Sequence, residues 1–316
     1  MKNETLLVVG EICIDFTLGT ANSPVKMRLG GIVHAARGLW ASGIQYAVAA
    51  VCPEYLTNEA ETYLRNHGCL DFIRLGDVVG APNVFVIGDV REIGHQGYEN
   101  LLRDTKKVRL LDAKAQIVKY TNIALFPGSF DLTQVTTAFD ENAAITVDIA
   151  YDINSLDDLK PLSGRVSAIA ISTSSDLFTS VAVKDVSSLV SICRDLGAKS
   201  LLLKENRGGS RLFNLSSDEV EAIPAVLGET VNSVGVGDAY TAVFAGLCKA
   251  DPQTAAWRGM QVATRYAQTT FPDDLKRDVQ RDFSLTIEEI RGLGGIVLPW
   301  HERAQFEIYL AAPDFS

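Results

Sequence analysis

The chain has 316 residues, 47% of them hydrophobic, which is enough apolar material for one large α/β domain or two smaller ones. Its formal net charge of −10 argues against a large nucleic-acid-binding surface but is compatible with a local pocket for small anions. The N-terminus lacks the basic start of an export signal, and no apolar run approaches the roughly 18 residues of a membrane span. We therefore expect a cytoplasmic protein without nucleic-acid or membrane partners.

The cysteines and the spacing of the elements favour a single reduced domain. The five cysteines are scattered, and no two have the Cys-x-x-Cys spacing of a zinc site or redox pair, so free thiols are expected. The chain has no internal repeats and no linker long enough to divide it. One domain over residues 1–316 is the economical prediction.

The first predicted strand ends in a candidate ligand-binding carboxylate. Residues 6–15 form a nearly continuous apolar run, typical of a central strand buried on both faces. Asp15 stands at its carboxyl end, where open α/β sheets bind their ligands, and could accept hydrogen bonds from a polyol. A simple turn aspartate is the alternative.

A double glycine precedes the first predicted helix. Gly30 and Gly31 permit close approach of a ligand to the backbone, and residues 32–42 form an alanine-rich helix ending at Gly43. His34 falls near the helix start, where it could face the same space as Asp15 and both donate and accept hydrogen bonds. A packed or solvated histidine is the more common alternative.

The next segments have a β-α-β rhythm and a polar loop. Strands are predicted at 44–51, 72–75 and 84–87, and a helix at 54–67. In the polar stretch 91–98, Arg91 and His95 could contact an anionic substrate, although a solvated loop is the more ordinary interpretation.

From residue 122 onward, strands and helices alternate regularly, which predicts a parallel sheet with helices on both faces. The predicted strands are 122–126, 144–149, 166–171 and 200–204, and the predicted helices lie near 131–141, 184–197 and 252–270.

Ser172 to Asp176 could hold the waters of a Mg²⁺ ion or simply cap a helix. The turn 205–210, before a strand at 211–213, could cover a nucleotide's phosphates or form a plain hairpin. Near the C-terminus, 285–291 has the spacing of a short helix, and 294–300 resembles a turn and strand.

The stretch 230–246 carries the strongest chemical signal, a glycine turn running into a helix expected to begin at about Asp238. Gly235 and Gly237 let amide N–H groups converge, and the helix N-terminus adds its positive dipole end, so the turn could hold a phosphate. Asp238 could then take a proton from an attacking hydroxyl. An ordinary turn with an aspartate N-cap has the same pattern.

Together these segments resemble the ribokinase-like (PfkB) family of carbohydrate and nucleoside kinases over about residues 5–270. Residues 232–240 look like the family's C-terminal signature Asp-Thr-x-Gly-Ala-Gly-Asp-x-Phe, the double glycine and its helix are similar to the N-terminal signature, and 206–210 look like its Gly-x-x-Gly turn. The resemblance implies a three-layer α/β/α fold with a mostly parallel sheet and a small β lid. The lid elements would lie within 14–30 and 83–103, and residues 278–316 would be an extension with no predicted role.

The resemblance also implies the site residues and their roles. It makes Asp238 the catalytic base, with Gly235, Val236 and Gly237 as the anion hole; Asp15, Gly30, Gly31 and His34 substrate-binding residues; Asn206, Gly208, Gly209 and Ser233 nucleotide-binding residues; and Asp176 a Mg²⁺ ligand acting through water. The implied cofactors are ATP, Mg²⁺ and a monovalent cation, and the implied partners are a small sugar or nucleoside and a second copy in a homodimer.

Several positions depart from the family pattern. Asn232 and Val236 replace Asp and Ala in the signature, which leaves the glycines and the base intact. His34 stands where the family has a sugar-binding Asn, and Asp176 where it has a longer Glu. Only 14 residues separate Asp15 from Gly30, too few for the family's usual lid, so we expect a reduced lid.

The leading hypothesis is an ATP-dependent kinase acting on a hydroxyl of a small sugar or related polyol, or of a nucleoside. The chain has no Gly-x-x-x-x-Gly-Lys-[Ser/Thr] P-loop, so amides and metal would have to manage the phosphate charge. A kinase-fold binding or regulatory protein is the second hypothesis. A dinucleotide-dependent oxidoreductase is the weakest, because Tyr240 stands at the third fingerprint position instead of Gly or Ala.

Overall fold

The computed structural model describes residues 4–19, 24–88, 90, 98–150, 153, 155–182, 185–226 and 228–303. Arg91 and His95 lie outside the described residues. The strands of the described part are β1 (Leu6–Thr17), β2 (Lys26–Gly31), β3 (Tyr46–Val51), β4 (Cys69–Val79), β5 (Val84–Ile87), β6 (Tyr98–Asn100), β7 (Lys107–Leu110), β8 (Asn122–Leu125), β9 (Ala144–Ile149), β10 (Val166–Ser172), β11 (Ser200–Lys204), β12 (Ser210–Asn214) and β13 (Val220–Ile223).

The main sheet has the order β13-β12-β11-β10-β9-β8-β1-β3-β4-β7. All neighbours from β11 through to β4 are parallel, and the antiparallel pairs lie towards the two edges. The chain builds outward from β1 to β4 in one direction and from β8 to β11 in the other. The strand order therefore reverses between β1 and β8, the position at which such sheets bind ligands beyond their carboxyl ends.

A small second sheet grows from the end of β1. Residues 12–17 of β1 pair antiparallel with β2 and residues 14–17 pair parallel with β5, which in turn pairs with β6. These strands include parts of the two segments, 14–30 and 83–103, in which lid elements are predicted. The long β1 thus runs from the core of the main sheet into the small sheet, and Asp15 lies in the part that the small sheet shares.

Helices cover both faces of the main sheet. They are α1 (Ile32–Ser42), α2 (Thr57–Asn66), α3 (Lys114–Ile117), α4 (Leu132–Thr136), α5 (Asp176–Val181), α6 (Ser187–Asp195), α7 (Val236–Leu247), α8 (Pro252–Gln268), α9 (Pro272–Phe283), α10 (Ile287–Gly292) and α11 (Trp300–Arg303), and short 3-10 turns span Glu54–Leu56, Arg103–Thr105, Leu156–Leu162 and Asn206–Gly208. None of the helices in the described part combines the length and apolar character needed to cross a membrane.

Strand alternation explains the two cores. Leu7 and Val9 of β1 pack with α3 to α6 on one face, whereas Leu6 and Val8 pack with α1, α2 and α7 on the other. Because successive strand residues point to opposite faces, a strand covered on both sides must be apolar throughout. The predicted three-layer α/β/α arrangement with a mostly parallel sheet is confirmed.

Two local predictions differ from the structure. The helix after the glycine turn begins at Val236, two residues before the predicted start, so Asp238 lies inside its first turn. Within the described residues 294–300 there is no strand: a positive-φ glycine pair, Gly294 and Gly295, opens the segment, and α11 begins at Trp300. The apolar run 296–298 has strand composition, but its backbone bonds to a turn instead of a sheet edge.

Candidate active site

The glycine turn forms the N-terminus of α7. Gly235 is the N-cap residue with φ 82°, a left-handed conformation that favours glycine, and Val236, Gly237 and Asp238 form the first turn. The amides of a helix's first turn have no intrahelical partners and add to its positive dipole end. Such a turn can attract an anion, and the assignment of Gly235 to Gly237 as an anion hole stays a prediction.

Close packing between α1 and α7 brings the two predicted glycine motifs together. A Cβ on Gly38 would lie 3.0 Å from the Cβ of Ala239, so the two helices meet almost backbone to backbone. A Cβ on Gly235 would lie 2.1 Å from Cγ of His34. His34 and Gly235, about 200 residues apart in sequence, are thus in direct contact in the fold.

Asp238 has an unusual electrostatic environment. It keeps partial solvent access, yet burial raises the pKa of its carboxyl to about 7, with Asp148 and Asp15 adding to the rise and Lys204 opposing it. A carboxyl with a pKa near neutrality is matched to accepting a proton at physiological pH.

Asp15 is held by protein side chains. Its Oδ2 accepts hydrogen bonds from Nε2 of His34 at 2.8 Å and from Nε of Arg28 at 3.3 Å. Burial alone would raise the pKa of Asp15, but the charges and hydrogen bonds of His34 and Arg28 together lower it below its usual value. The carboxylate therefore stays ionised. His34 and Arg28 engage its Oδ2, and its Oδ1 accepts a long hydrogen bond from Sγ of Cys13 at 3.9 Å.

His34 is neutral and its tautomer follows from its partners. Burial lowers the pKa of His34 to about 4 in spite of the nearby Asp15 charge. Because the ionised Asp15 can only accept, Nε2 carries the proton, and Nδ1 accepts from Oη of Tyr266 at 2.7 Å. Arg37 in turn donates to the same Tyr266 oxygen at 3.3 Å. This buried chain of polar groups fixes the ring in one orientation.

Both glycines of the predicted double-glycine motif are required sterically. A Cβ on Gly30 would lie 2.1 Å from Oδ1 of Asp15, and a Cβ on Gly31, where φ is 61°, would lie 2.2 Å from the carbonyl oxygen of Glu11. The pair ends β2 and starts α1. It allows β2 to pass against the end of β1, so that Asp15 and His34 can meet.

Comparison with known proteins addresses the fold. No protein-family model matches the sequence, and no curated protein matches it. Among solved structures, Giardia lamblia ribokinase has a TM-score of 0.65 at 14% identity, covering 89% of this chain and 99% of that one. Xylella fastidiosa fructokinase with bound ATP has 0.64 at 12%, covering 89% and 99%, and the Methanocaldococcus jannaschii nucleoside kinase has 0.60 at 14%, covering 88% and 98%. The chain has the ribokinase-like fold.

The predicted nucleotide turn of this ribokinase-like fold connects β11 and β12. Asn206 has φ 54°, as expected for an asparagine standing in for a glycine, and Gly209 has φ 85°. The Asn206 side chain accepts from Ser172 Oγ at 3.0 Å and donates to Thr173 Oγ1 at 3.4 Å. Leu298 N donates a hydrogen bond to the carbonyl of Gly208 at 2.9 Å. The turn is thus tied to the end of β10 and to the C-terminal segment.

The predicted metal ligand lies at a helix start on the same side as this turn. Ser175 caps α5, and the exposed Asp176 is the first helical residue, four positions after Ser172. Among the described residues, no group of three or more His, Cys, Asp and Glu side chains could hold a metal ion. A Mg²⁺ ion here would depend on phosphate and water oxygens, which suits the way Mg²⁺ is usually bound with nucleotides.

Ser233, predicted to contact the nucleotide, also binds the segment 83–103. Its N–H and its hydroxyl both donate to the carbonyl of Val90, at 2.6 and 2.8 Å. Arg28 of β2 makes a second link, since its Nη2 donates to the carbonyl of Val234 at 3.3 Å. The glycine turn is therefore connected to both parts of the chain in which lid elements are predicted.

Sequence reasoning missed several charged residues near the site. Lys204 and Asp148 form a buried ion pair beside α7, and Glu11 pairs with Lys106, whose side chain is 3% exposed. Glu11 Oε1 also accepts from Ser129 N at 2.5 Å. The available signal was a charge inside or at the end of an otherwise apolar central strand, which is costly unless it is paired.

A surface cavity of about 460 Å³ lies elsewhere, between α6 and β12. Its lining includes Asp185, Arg194, Phe213 and His301. None of the predicted site residues is among its described lining residues, so it offers no support for the site at α7.

Proposed function

We propose that this protein is an ATP-dependent kinase that transfers the γ-phosphoryl group to a hydroxyl of a small sugar or related polyol. One observation carries the proposal: a glycine turn at a helix N-terminus, with a carboxyl of raised pKa in its first turn, lies beside Asp15 and His34 where the strand order reverses. The similar structures are of a ribokinase, a fructokinase with bound ATP and a nucleoside kinase, which is consistent with this chemistry.

Asp238 acts as the general base in this proposal. It takes the proton of the acceptor hydroxyl while that oxygen bonds to the γ-phosphorus and the bond to the ADP oxygen breaks. The amides of Gly235 to Asp238 stabilise the charge on the transferring group. Asn206, Gly208, Gly209 and Ser233 would bind the nucleotide, and Asp15, Gly30, Gly31 and His34 would bind the acceptor.

Asp176 would hold Mg²⁺ through water, and the bound ion would neutralise charge on the phosphates. A carboxylate exposed at the start of α5, with Ser172 and Asn206 hydrogen-bonded nearby, fits an indirect ligand of this kind. The chain's own contribution is to orient the nucleotide and to receive the hydroxyl proton at Asp238.

The decisive experiment measures ADP release with Mg²⁺ and ATP over a panel of sugars, polyols and nucleosides. We expect at least one acceptor to be turned over, and Asp238→Asn to lower kcat about 10²–10⁴-fold, the usual contribution of a general base. Circular dichroism checks that the variant is folded. Full activity in the Asp238→Asn variant would overturn the role of Asp238.

The occupied carboxylate of Asp15 favours a second candidate, a ligand-binding or regulatory protein with weak catalysis. His34 and Arg28 both bind the oxygen Oδ2, which leaves less of the carboxylate for an acceptor. In that case the same panel would show ligand binding by calorimetry without ADP release. A nucleoside acceptor in place of a sugar would appear directly as turnover in the nucleoside part of the panel.

A further inference from the structure

A buried ion pair lies beside the first turn of α7. Lys204, at the end of β11, donates from Nζ to Oδ1 and Oδ2 of Asp148 on β9, at 2.8 and 2.9 Å. The side chains are 9% and 0% exposed, respectively. Removing two charges from water costs free energy, and the contacts around a buried pair have to offset that cost.

The surroundings of Lys204 point to α7. Its Nζ donates a third hydrogen bond to Oγ1 of Thr241 at 3.1 Å, and Thr241 lies one turn after Asp238 on the same helix. A Cβ on Gly237 would lie 3.4 Å from the same nitrogen. The ammonium group therefore faces the first turn of α7, next to the residue that precedes Asp238.

The hydrogen bonds of Lys204 limit what it can do. An ammonium group has three N–H donors, and Asp148 and Thr241 accept three hydrogen bonds from it. It has no donor left for a phosphate without giving up one of these partners. Lys204 therefore acts on the site through its charge and that of Asp148.

Other charged and titratable groups also face this end of α7. Asp15 and Asp148 raise the pKa of Asp238, and Lys204 lowers it. The negative charge of Asp238 in turn helps to raise the pKa of the Cys13 thiol. The groups that face it from the packed elements are Asp15 and Cys13 on β1, Arg28 on β2, Asp148 on β9, Lys204 on β11, the neutral His34 on α1 and Tyr266 on α8. Within this set, Asp148 raises the pKa of Asp238 and Lys204 lowers it.

We propose that Asp148 and Lys204 are positioning residues, which fix the charge beside the first turn of α7 and thereby set the pH range in which Asp238 accepts the acceptor's proton. The inference rests on the proposed function of Asp238 and extends it to two residues whose side chains bond to each other and, through Lys204, to Thr241. It explains why a lysine and an aspartate lie at or near the carboxyl ends of two mainly apolar strands.

The test is the pH profile of kcat/KM for single and double variants. Asp148→Asn removes a negative charge, so the acid limb should move to lower pH by about one unit. Lys204→Met removes a positive charge, so the limb should move to higher pH. The double variant D148N/K204M, which loses both opposing charges, should lie between the two. A purely structural pair would lower the rates without moving the limb in opposite directions, and limbs that stay fixed or move the same way would overturn the proposal.

Matched controls come from the other half of the sheet. Asp77 on β4 is a buried carboxylate paired with Arg109 at 3.1 Å, and it does not contribute to the pKa of Asp238. Asp77→Asn and Arg109→Met should leave the acid limb unchanged. If Asp148→Asn does not fold, the comparison of Lys204→Met with the double variant decides, since restoring neutrality should move the limb back to lower pH.

A second readout separates this inference from the kinase proposal. The ionisation of Asp238 can be followed without turnover by infrared difference spectroscopy of its carboxyl group, with Asp238→Asn as the blank. Opposite shifts in D148N and K204M support the inference even if no acceptor is found, in which case the kinase proposal alone fails. Turnover that depends on Asp238, with no shift in either variant, overturns the inference and leaves the kinase proposal standing.

Discussion

At the scale of single residues, the site concentrates ionisable groups whose environments differ. Asp15 and Asp238 are both aspartates near the same glycine turn, but hydrogen bonds from His34 and Arg28 lower the pKa of Asp15, whereas burial raises that of Asp238 to about 7. Carboxyls with pKa values pushed apart in this way can take different roles. Asp15 is suited to stay a charged acceptor, and Asp238 to exchange a proton.

The raised pKa of Asp238 predicts a stability cost that depends on pH. Because the folded-state pKa of about 7 lies above the ordinary value of 3.8, the folded protein binds this proton more tightly than the unfolded chain. This tighter proton binding stabilises the folded state fully below the ordinary pKa, and the stabilisation is lost as the pH rises to about 7. Asp238→Asn should therefore be more stable than wild type by about 2–4 kcal/mol at pH 8.

Urea unfolding at pH 8 and pH 4 measures this difference, which should shrink towards zero at the lower pH. Asp195→Asn, an exposed carboxylate at the end of α6, serves as the control. A D238N variant that is less stable than wild type at pH 8 would show that the Asp238 charge is not destabilised by burial.

Local sequence signals reveal some residues of the site and not others. The glycine turn at Gly235 and Gly237 was predictable, because glycines before an apolar helix constrain the backbone locally. The pairing of Lys204 with Asp148 was not, because these residues lie 56 positions apart and meet only through the order of the strands. Similarly, nothing local to Arg28 shows that β2 would place it between Asp15 and Val234.

At the scale of elements, the C-terminal segment is fastened to the predicted nucleotide turn. Leu298 N donates to the carbonyl of Gly208 at 2.9 Å, and Trp300 N donates to Oε2 of the buried Glu205 at 2.7 Å. The Trp300 ring packs edge to face on Phe178, with centroids 5.6 Å apart. The strand predicted within residues 294–300 is wrong, because the partners of this segment are a turn and a helix, which offer no strand edge for pairing.

Trp300→Ala should therefore destabilise the protein by about 2 kcal/mol, less than a fully buried tryptophan would, since the ring is only partly buried. The measurement is the urea midpoint of unfolding. Ile296→Ala in the same segment is a matched control, because that side chain is 71% exposed and its loss should change stability by less than about 0.5 kcal/mol. Equal effects of the two changes would show that the Trp300 contacts do not hold the segment.

At the scale of the whole molecule, β1 and α7 join the main sheet to the small one. β1 belongs to both sheets, and the glycine turn of α7 is bonded to β2 through Arg28 and to Val90 through Ser233. A change of position of the small sheet would therefore act directly on the predicted anion hole. We propose that the small sheet is the reduced lid that the short spacing between Asp15 and Gly30 predicts.

Arg28 is the side chain through which this connection can be tested. Arg28→Met removes one hydrogen bond to the charged Asp15 and one to the Val234 carbonyl, and bonds to charged groups contribute about 1.5–3 kcal/mol. We expect amide hydrogen exchange in β2 and β5 to become roughly 10- to 100-fold faster, with β8 and β9 in the main sheet unchanged. Hydrogen exchange followed by mass spectrometry resolves these strands.

Lys26→Met removes the same charge from an exposed position on the same strand and should leave the rates as they are. If the two variants behave alike, Arg28 does not couple the small sheet to α7, and the lid would have to be held by Ser233 and the strand pairing alone.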